Sequence, residues 1–236
     1  MHRIALDIDL IAFIRNLLDS DEPDPVQSVV LAELGGAQGI VCYLRDDLKT
    51  TNERDITLLK EIVRSDLNVR SNLTEENIRK LIRIKPDLIT IVNPGDISTI
   101  EPKPINVEMY ESQLINIIAE LRTNNIASSV LIEPEIGQIK AAGKLEFEYI
   151  EFSANRLTNA MDRDEELDAL QNLAGLALAA NKLGLCVNIS GGIGFDNIKD
   201  IASIEYVEDI IVGKPVFTKA LAIGFEQAVR DIISKL

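Results

Sequence analysis

Three observations predict an α/β chain folded as a (β/α)8 TIM barrel with extra helices, a single domain over residues 1–236. Short apolar runs alternate eight times with amphipathic or alanine-rich segments, the pattern of strands alternating with helices. The last two runs each end in glycine, at Ser190-Gly191-Gly192-Ile193-Gly194 and at Gly213-Lys214. The length of 236 residues is close to the roughly 250 of such a barrel, which stays one domain at that size. Glycine removes the Cβ clash, so backbone N–H groups can turn toward one point. An ordered pair of such loops near the end of a barrel chain suits the phosphate site built after strands seven and eight. The plain alternative is that the glycines serve only tight turns. An open doubly wound sheet is the competing architecture, and it places its glycine fingerprint near the N-terminus instead.

The elements follow in order. Strand one starts at Arg3 or Ile4 and carries Asp7 and Asp9 at its far end, and Leu10–Leu18 has helical spacing. Asp24 and Pro25 read as the N-cap and first turn of a helix running to Gly35-Gly36. Gly39–Tyr43 is strand two, Asn52 caps a helix to about Ser65, and Leu67–Arg70 is strand three. Asn72 with Glu75 reads as a capping box for a helix ending near Ile84. Asp87–Val92 is strand four, and the proline-bearing stretch 94–104 is left unassigned. Glu108–Thr123 is a helix, Ala127–Ile132 strand five, Glu135–Gly143 a helix and Phe147–Phe152 strand six. The long helix Asp164–Leu183 leads to strand seven, Leu185–Ile189, and a short helix starts at Asn197. Strand eight is Asp209–Val212, and one final helix covers Lys219–Leu236.

Composition narrows the function. A net charge of −14 and a pI near 4.6 argue against nucleic acid and against an anionic membrane surface. No apolar run reaches the ~18 residues of a membrane span, and the first strand begins too early for a signal peptide, so a cytoplasmic protein is expected. Cys42 and Cys186 are the only cysteines. They form no C-x-x-C pattern, and neither a metal nor an organic cofactor is expected. His2 is the only histidine, which excludes any mechanism needing two.

Side chains alternate along a strand, and several strands carry polar residues two apart at their C-terminal ends: Asp7 and Asp9, Tyr43 and Arg45, Asn68 and Arg70, Glu151 and Ser153, Asn188 and Ser190. In a barrel those ends share one mouth, where active sites lie. Asp9, Tyr43, Arg45, Arg70, Glu151 and Ser190 are therefore expected around one cavity. The bland alternative is a solvated or salt-bridged rim. With Arg70 beside Glu151, an Arg70–Glu151 or Arg45–Asp9 ion pair is expected across the mouth.

The stretches LDIDLIAFIRN, PDPVQSVVLAELGGAQGIVCYLRDD and NERDI resemble the N-terminal third of the pyridoxine 5'-phosphate synthase family. The similarity continues through NLTEENIRKLIRIKPD, YIEF and LGLCVNISGGIGFDNIKDIASI to VFTKAL, nearly the whole chain. The resemblance implies a (β/α)8 barrel with extra helices that assembles into octamers. The family reaction condenses 1-deoxy-D-xylulose 5-phosphate with 3-amino-2-oxopropyl phosphate. At the chemistry the match breaks down. The family's first-strand asparagine is Asp7 here, its aspartate is kept as Asp9, and the adjoining histidine is Leu10. A substrate-binding arginine falls at Leu18. The catalytic histidine of the H-L-R motif is Tyr43, with the arginine kept as Arg45, and a histidine in the next loop is Thr50. The catalytic glutamate of strand three is Arg70, whereas the glutamate of strand six is kept as Glu151. The catalytic histidine of the glycine loop aligns with Gly191. A short stretch before strand eight, which brings a glycine–histidine pair to a phosphate, is missing.

Acid–base work near neutral pH needs groups that titrate there; tyrosine at ~10 and arginine above ~12 do not. Three readings follow. In the first, the barrel binds a phosphorylated small molecule through Ser190, Gly191, Gly192, Gly213 and Lys214, with Asp7, Asp9, Tyr43, Arg45 and Arg70 lining the substrate end, but lacks the family condensation. Such a chain works as a homo-oligomer or as a hetero-oligomer with an active paralogue. In the second, altered chemistry uses Glu151 or Asp9 as acid or base, with Arg45 and Arg70 as charge clamps. In the third, the chain is a genuine synthase. A working carboxyl must be free of a permanent salt bridge, which separates the first two.

Overall fold

The computed structural model describes residues 2–93 and 99–236. Eight parallel strands close in chain order into a barrel: β1 Arg3–Asp7, β2 Gly39–Leu44, β3 Asp66–Ser71, β4 Leu88–Ile91, β5 Ala127–Ile132, β6 Tyr149–Ser153, β7 Cys186–Ser190 and β8 Val207–Val212. Closure comes from β1 pairing with β8, Ala5 against Ile211 and Leu6 against Val212. Eleven helices lie among the described residues: α1 Asp9–Leu17, α2 Pro25–Gly35, α3 Glu53–Ile62, α4 Glu75–Ile84, α5 Glu111–Thr123, α6 Ile136–Lys144, α7 Asn155–Thr158, α8 Arg163–Lys182, α9 Ile198–Ile201, α10 Lys214–Ile223 and α11 Phe225–Ile233. None of the described helices is long and apolar enough to cross a membrane.

Strand alternation splits the core in two. Ile4, Leu6, Ile40, Cys42, Leu44 and Val69 face the helices in one large apolar cluster. The alternate residues fill the barrel with two small clusters, Ala5–Val41–Ile211 and, nearer the C-terminal ends, Tyr43–Val92–Leu131. Between these the interior is polar: Asn68, Arg70, Thr90, Ser129, Glu151, Asn188 and Ser190 are all buried. A barrel interior favours branched apolar residues, so this polar filling marks the region of interest.

Several boundaries differ from expectation for local reasons. β1 stops at Asp7, and Asp9 opens α1 instead of ending the strand. The capping box expected at Asn72 and Glu75 is absent: the N-cap is Thr74, without a side-chain cap, and the Asn72 Oδ1 accepts the Thr74 N–H instead. The expected cap at Asn52 is present as a full capping box with Asp55. The single final helix is two helices, broken at Gly224 with φ +84°, a conformation that favours glycine. α10 therefore begins at Lys214, directly after β8, with Pro215 in its first turn where its missing N–H is harmless. The turn α7, not expected from the sequence, follows β6 at once. Of the unassigned 94–104 stretch, residues 94–98 lie outside the described residues.

One buried ion pair ties the first strand–helix unit to the second. Arg15 on α1 donates to both oxygens of Asp55, at 2.8 and 2.7 Å, and the same carboxylate accepts the Asn52 N–H in the α3 capping box. Asp55 is fully buried. Asp55→Ala strands the Arg15 charge and opens the cap, and is expected to lower stability by about 3–5 kcal/mol, measured by urea denaturation against the unaltered protein.

Candidate functional site

Arg70 is the centre of the barrel mouth. It leaves β3 inward, is 1 % exposed, and crosses to the far side of the ring. Its Nη2 lies 2.7 Å from the Glu151 Oε1 on β6, and its Nε lies 3.4 Å from Oε2. Its Nη1 lies 2.5 Å from the Asp7 Oδ2 at the end of β1. Ser190, at the end of β7, donates its hydroxyl to the Glu151 Oε1. Four strands thus meet in one charged network. Burial works against the Arg70 charge, but Glu151 and Asp7 outweigh it and hold the pKa above its ordinary value. The expected Arg70–Glu151 pair is present, and Asp7 joins it as a second partner that was not foreseen.

The alternative Arg45–Asp9 pair does not form. Arg45 makes a two-pronged bond to Asp47, two contacts of 2.8 Å, and lies 5.3 Å from the centre of the Tyr43 ring. A partner two residues away in its own loop outcompetes one across the strand. The Arg45 hydrogen bonds lower the Asp47 pKa to about 2. Tyr43 is pushed up to about 12, chiefly by burial, with Arg45 opposing. It is therefore a neutral phenol far from the range of a base at pH 7.

Asp9 is placed differently from every other carboxyl at the mouth. Where β1 leaves the sheet, its Oδ1 accepts the Tyr43 N–H at 2.8 Å, so the side chain continues the β1–β2 ladder in place of backbone. Its own N–H donates to the Asp7 Oδ1. The residue is 4 % exposed, and the Oδ2 has no hydrogen-bond partner. Burial and then the Asp7 charge raise its pKa well above the ordinary value, while Arg70 and Arg45 pull the other way.

The two glycine loops flank this network. After β7, Gly191 and Gly192 take φ +101° and +67°. A Cβ at Gly191 would stand 2.7 Å from the Asn155 Oδ1, and one at Gly192 2.5 Å from the Thr158 Oγ1. The turn α7 thus braces the loop, and Thr158 donates to the Gly191 carbonyl at 3.2 Å. Sequence reasoning missed Asn155 and Thr158; a polar residue just past the strand-six glutamate was the one signal for them. Asn197 closes the loop, accepting the Gly194 N–H and donating to the Gly192 carbonyl. A Cβ at Gly213 would stand 3.1 Å from the Asp7 Cβ, so the second loop packs on the charged network. Lys214 is exposed at the first position of α10. Ser190, grouped with these loops from the sequence, turns its hydroxyl inward to Glu151 instead.

Other features do not converge. A cleft of about 350 Å³ between α5 and α6, bordered by Val107, Glu111, Lys140 and Lys144, contains no strand-end residue. Among the described residues no His, Cys, Asp or Glu group is arranged to hold a metal ion.

Two outcomes follow from the network. Arg70→Ala leaves Glu151 and Asp7 facing each other unpaired and is expected to destabilise the fold by about 3–5 kcal/mol, read by denaturant titration. Asp9 has the opposite sign. Its folded pKa is raised, so its favourable contribution is complete below the unfolded value of about 3.9 and is lost as pH rises through the folded value. Asp9→Asn is therefore expected to be more stable at neutral pH. The gain grows from about pH 4 upward by at most ~1.4 kcal/mol per pH unit, measured by thermal unfolding across a pH series.

The sequence model of the family described as "Pyridoxal phosphate biosynthesis protein PdxJ" matches residues 4–236. A pyridoxine 5'-phosphate synthase of Prochlorococcus marinus subsp. pastoris is 34 % identical over 232 residues, covering 98 % of this chain and 97 % of the relative. One from Geotalea daltonii is 31 % identical over 233 residues, covering 99 % and 98 %. Among solved structures, a thiamine phosphate pyrophosphorylase from Pyrococcus furiosus superposes with a TM-score of 0.62 at 16 % identity, covering 99 % of this chain and 94 % of that one. At that identity the likeness is one of fold alone.

Proposed function

The chain belongs to the PdxJ family of pyridoxal phosphate biosynthesis proteins, and on that premise we propose that it binds a phosphorylated small molecule at its barrel mouth without performing the condensation for which its relatives are named. The observation that carries this is the Arg70–Glu151–Asp7 network. The strand-three position, which the resemblance assigns to a catalytic glutamate, holds a permanent cation. That cation occupies the retained Glu151, whose Oε1 also accepts from Ser190. A carboxylate locked in this way lacks the freedom that proton transfer requires. Tyr43 and Gly191 supply no group titrating near neutrality in place of the two histidines.

The anion end is assigned to the loops after β7 and β8. Gly191 and Gly192 bring backbone close to one point, and α10 starts immediately after Gly213 with its positive end and Lys214 at the mouth. The assembly is assigned as a homo-oligomer or as a mixed oligomer with an active paralogue, on the family resemblance alone. A second reading, altered chemistry, keeps one candidate: Asp9 is free of any arginine, whereas Glu151 is not.

Expression in a strain lacking pyridoxine 5'-phosphate synthase tests the first part. No growth is expected without added vitamin B6, and growth at ordinary expression overturns the reading. Calorimetry with inorganic phosphate and small sugar phosphates tests the second. Micromolar-to-millimolar binding is expected, weakened about three- to tenfold by Lys214→Ala. Lys214 is the better probe because Gly192 and Gly213 are packed against Thr158 and Asp7, so bulk there disturbs the structure as well as the ligand.

A further inference from the structure

Three exposed leucines come together where α1 meets the loop after β2. Leu17 ends α1 and Leu18 caps it, 71 % and 62 % exposed. Asn16, beside them, donates its amide to the Leu48 and Thr50 carbonyls at 2.9 and 2.8 Å. That brings Leu48, 55 % exposed, alongside the end of the helix. Nothing in the fold calls for leucine at 48. Its φ is +53°, a left-handed conformation that is costly for a bulky side chain and easier for asparagine or glycine. Its side chain reaches solvent and so adds little burial. A residue that strains the backbone without filling the core points to a use outside the chain. The segment directly after Leu18 is acidic. Asp19, Asp21 and Glu22 are exposed, and among the described residues no ion pair engages them. Asp21 and Asp24 also border a polar cleft of about 320 Å³ with Arg15, Asn16 and Arg54. Arg15 is spent on Asp55, which leaves Arg54 as one cation against two carboxylates. Lys49, next to Leu48, faces Asp47, which also holds Arg45. The patch is thus apolar at its centre and negative at its edge.

We propose that this face is a docking surface for a basic amphipathic helix of another protein. Such a helix lays apolar side chains on Leu17, Leu18 and Leu48 and aims lysine or arginine at Asp19, Asp21 and Glu22. Charge decides between the occupants. A second copy of this chain brings −14 and, across a two-fold axis, the same acids to the same edge, where they repel. An anionic lipid surface is repelled for the same reason. A basic helix gains from both parts of the patch: apolar burial holds it, and the field of the acidic edge steers it in. Neither the Arg70 network nor the glycine loops take part, so the surface stands apart from the barrel-mouth reading.

The test uses two synthetic peptides of equal positive charge, each about eighteen residues, long enough for a helix. One carries leucine and lysine at helical spacing, so that one face is apolar; in the other every leucine is glutamine. Calorimetry with the full chain is expected to show micromolar binding of the leucine peptide, about tenfold tighter than the glutamine peptide. The affinity is expected to fall as salt rises from about 0.05 to about 0.15 M. Leu17→Ser, Leu18→Ser and Leu48→Ser together are expected to bring both peptides to the same weak affinity. Asp19→Asn, Asp21→Asn and Glu22→Gln together are expected to weaken both peptides and flatten the salt dependence. Leu48→Asn suits the left-handed backbone, so it is expected to raise the melting temperature by about 2–4 °C while weakening the leucine peptide about threefold. A leucine that served the fold alone would not move the two readings in opposite directions. Equal affinity for the two peptides overturns the proposal. So does a serine variant that binds the leucine peptide as tightly as the unaltered protein, or a lower melting temperature for Leu48→Asn. Sedimentation that shows the unaltered chain associating and the serine variant not associating also overturns it, and gives the face to a second copy.

Discussion

A guanidinium buried inside a barrel dictates the arrangement of this mouth. Taking one charge out of water costs several kcal/mol even after relaxation, so Arg70 can sit where it does only with anions on both sides. Glu151 supplies one from β6, Asp7 another from β1, and Ser190 on β7 holds Glu151 in place. These contacts tie strand ends that are far apart around the ring. The same contacts occupy both carboxylates that face Arg70, which is the basis of the reading proposed above.

The charges at the mouth nearly cancel, and the remainder matters. Arg70 faces Asp7 and Glu151, and Arg45 faces Asp47, which leaves one formal negative charge in the interior network. With −14 over the whole chain, the field at long range also disfavours anions. A phosphate at this mouth therefore needs short-range donors such as Lys214 at the rim, set against the Asp7 carboxylate on which Gly213 packs. Burial, and after it the charge of neighbouring Asp7, raise the pKa of Asp9 well above its ordinary value.

The barrel was legible because its signals are local. Apolar runs, strand-terminal glycines and caps such as Asp24 and Asn52 act within a few residues, and they placed eight strands in order. The errors were local competitions with two good answers: Asn72 against Thr74 for a cap, and one long final helix against a break at Gly224. Polar residues at strand ends were also legible, since alternation and a shared mouth bring them together whatever their partners. Their pairing was less so. Arg45 had a carboxylate two residues away in Asp47, and that near partner won over Asp9 across the strand. Asp9 read as a strand residue because its carboxyl does the work of a strand carbonyl for Tyr43, which no spacing rule registers. The bracing of Gly191 and Gly192 by Asn155 and Thr158 depends on a turn packed from another strand, beyond any short-range signal.

On the resemblance drawn from the sequence, the family carries asparagine and glutamate where this chain has Asp7 and Arg70. In the folded chain they touch. Each replacement alone is poorly tolerated by the physics of the site. Arginine at 70 with asparagine at 7 leaves a fully buried cation with one carboxylate. Aspartate at 7 with glutamate at 70 crowds it against Glu151 and Asp9, four acids in one small volume. Together the two changes convert an arrangement of free carboxyls into a closed ion network. A site decaying without constraint leaves unpaired charge or cavities behind. This one is charge-paired around Arg70 and braced at its glycine loops, while the Asp9 Oδ2, Ser129 Oγ and Asn188 Nδ2 are among the buried atoms it leaves without partners.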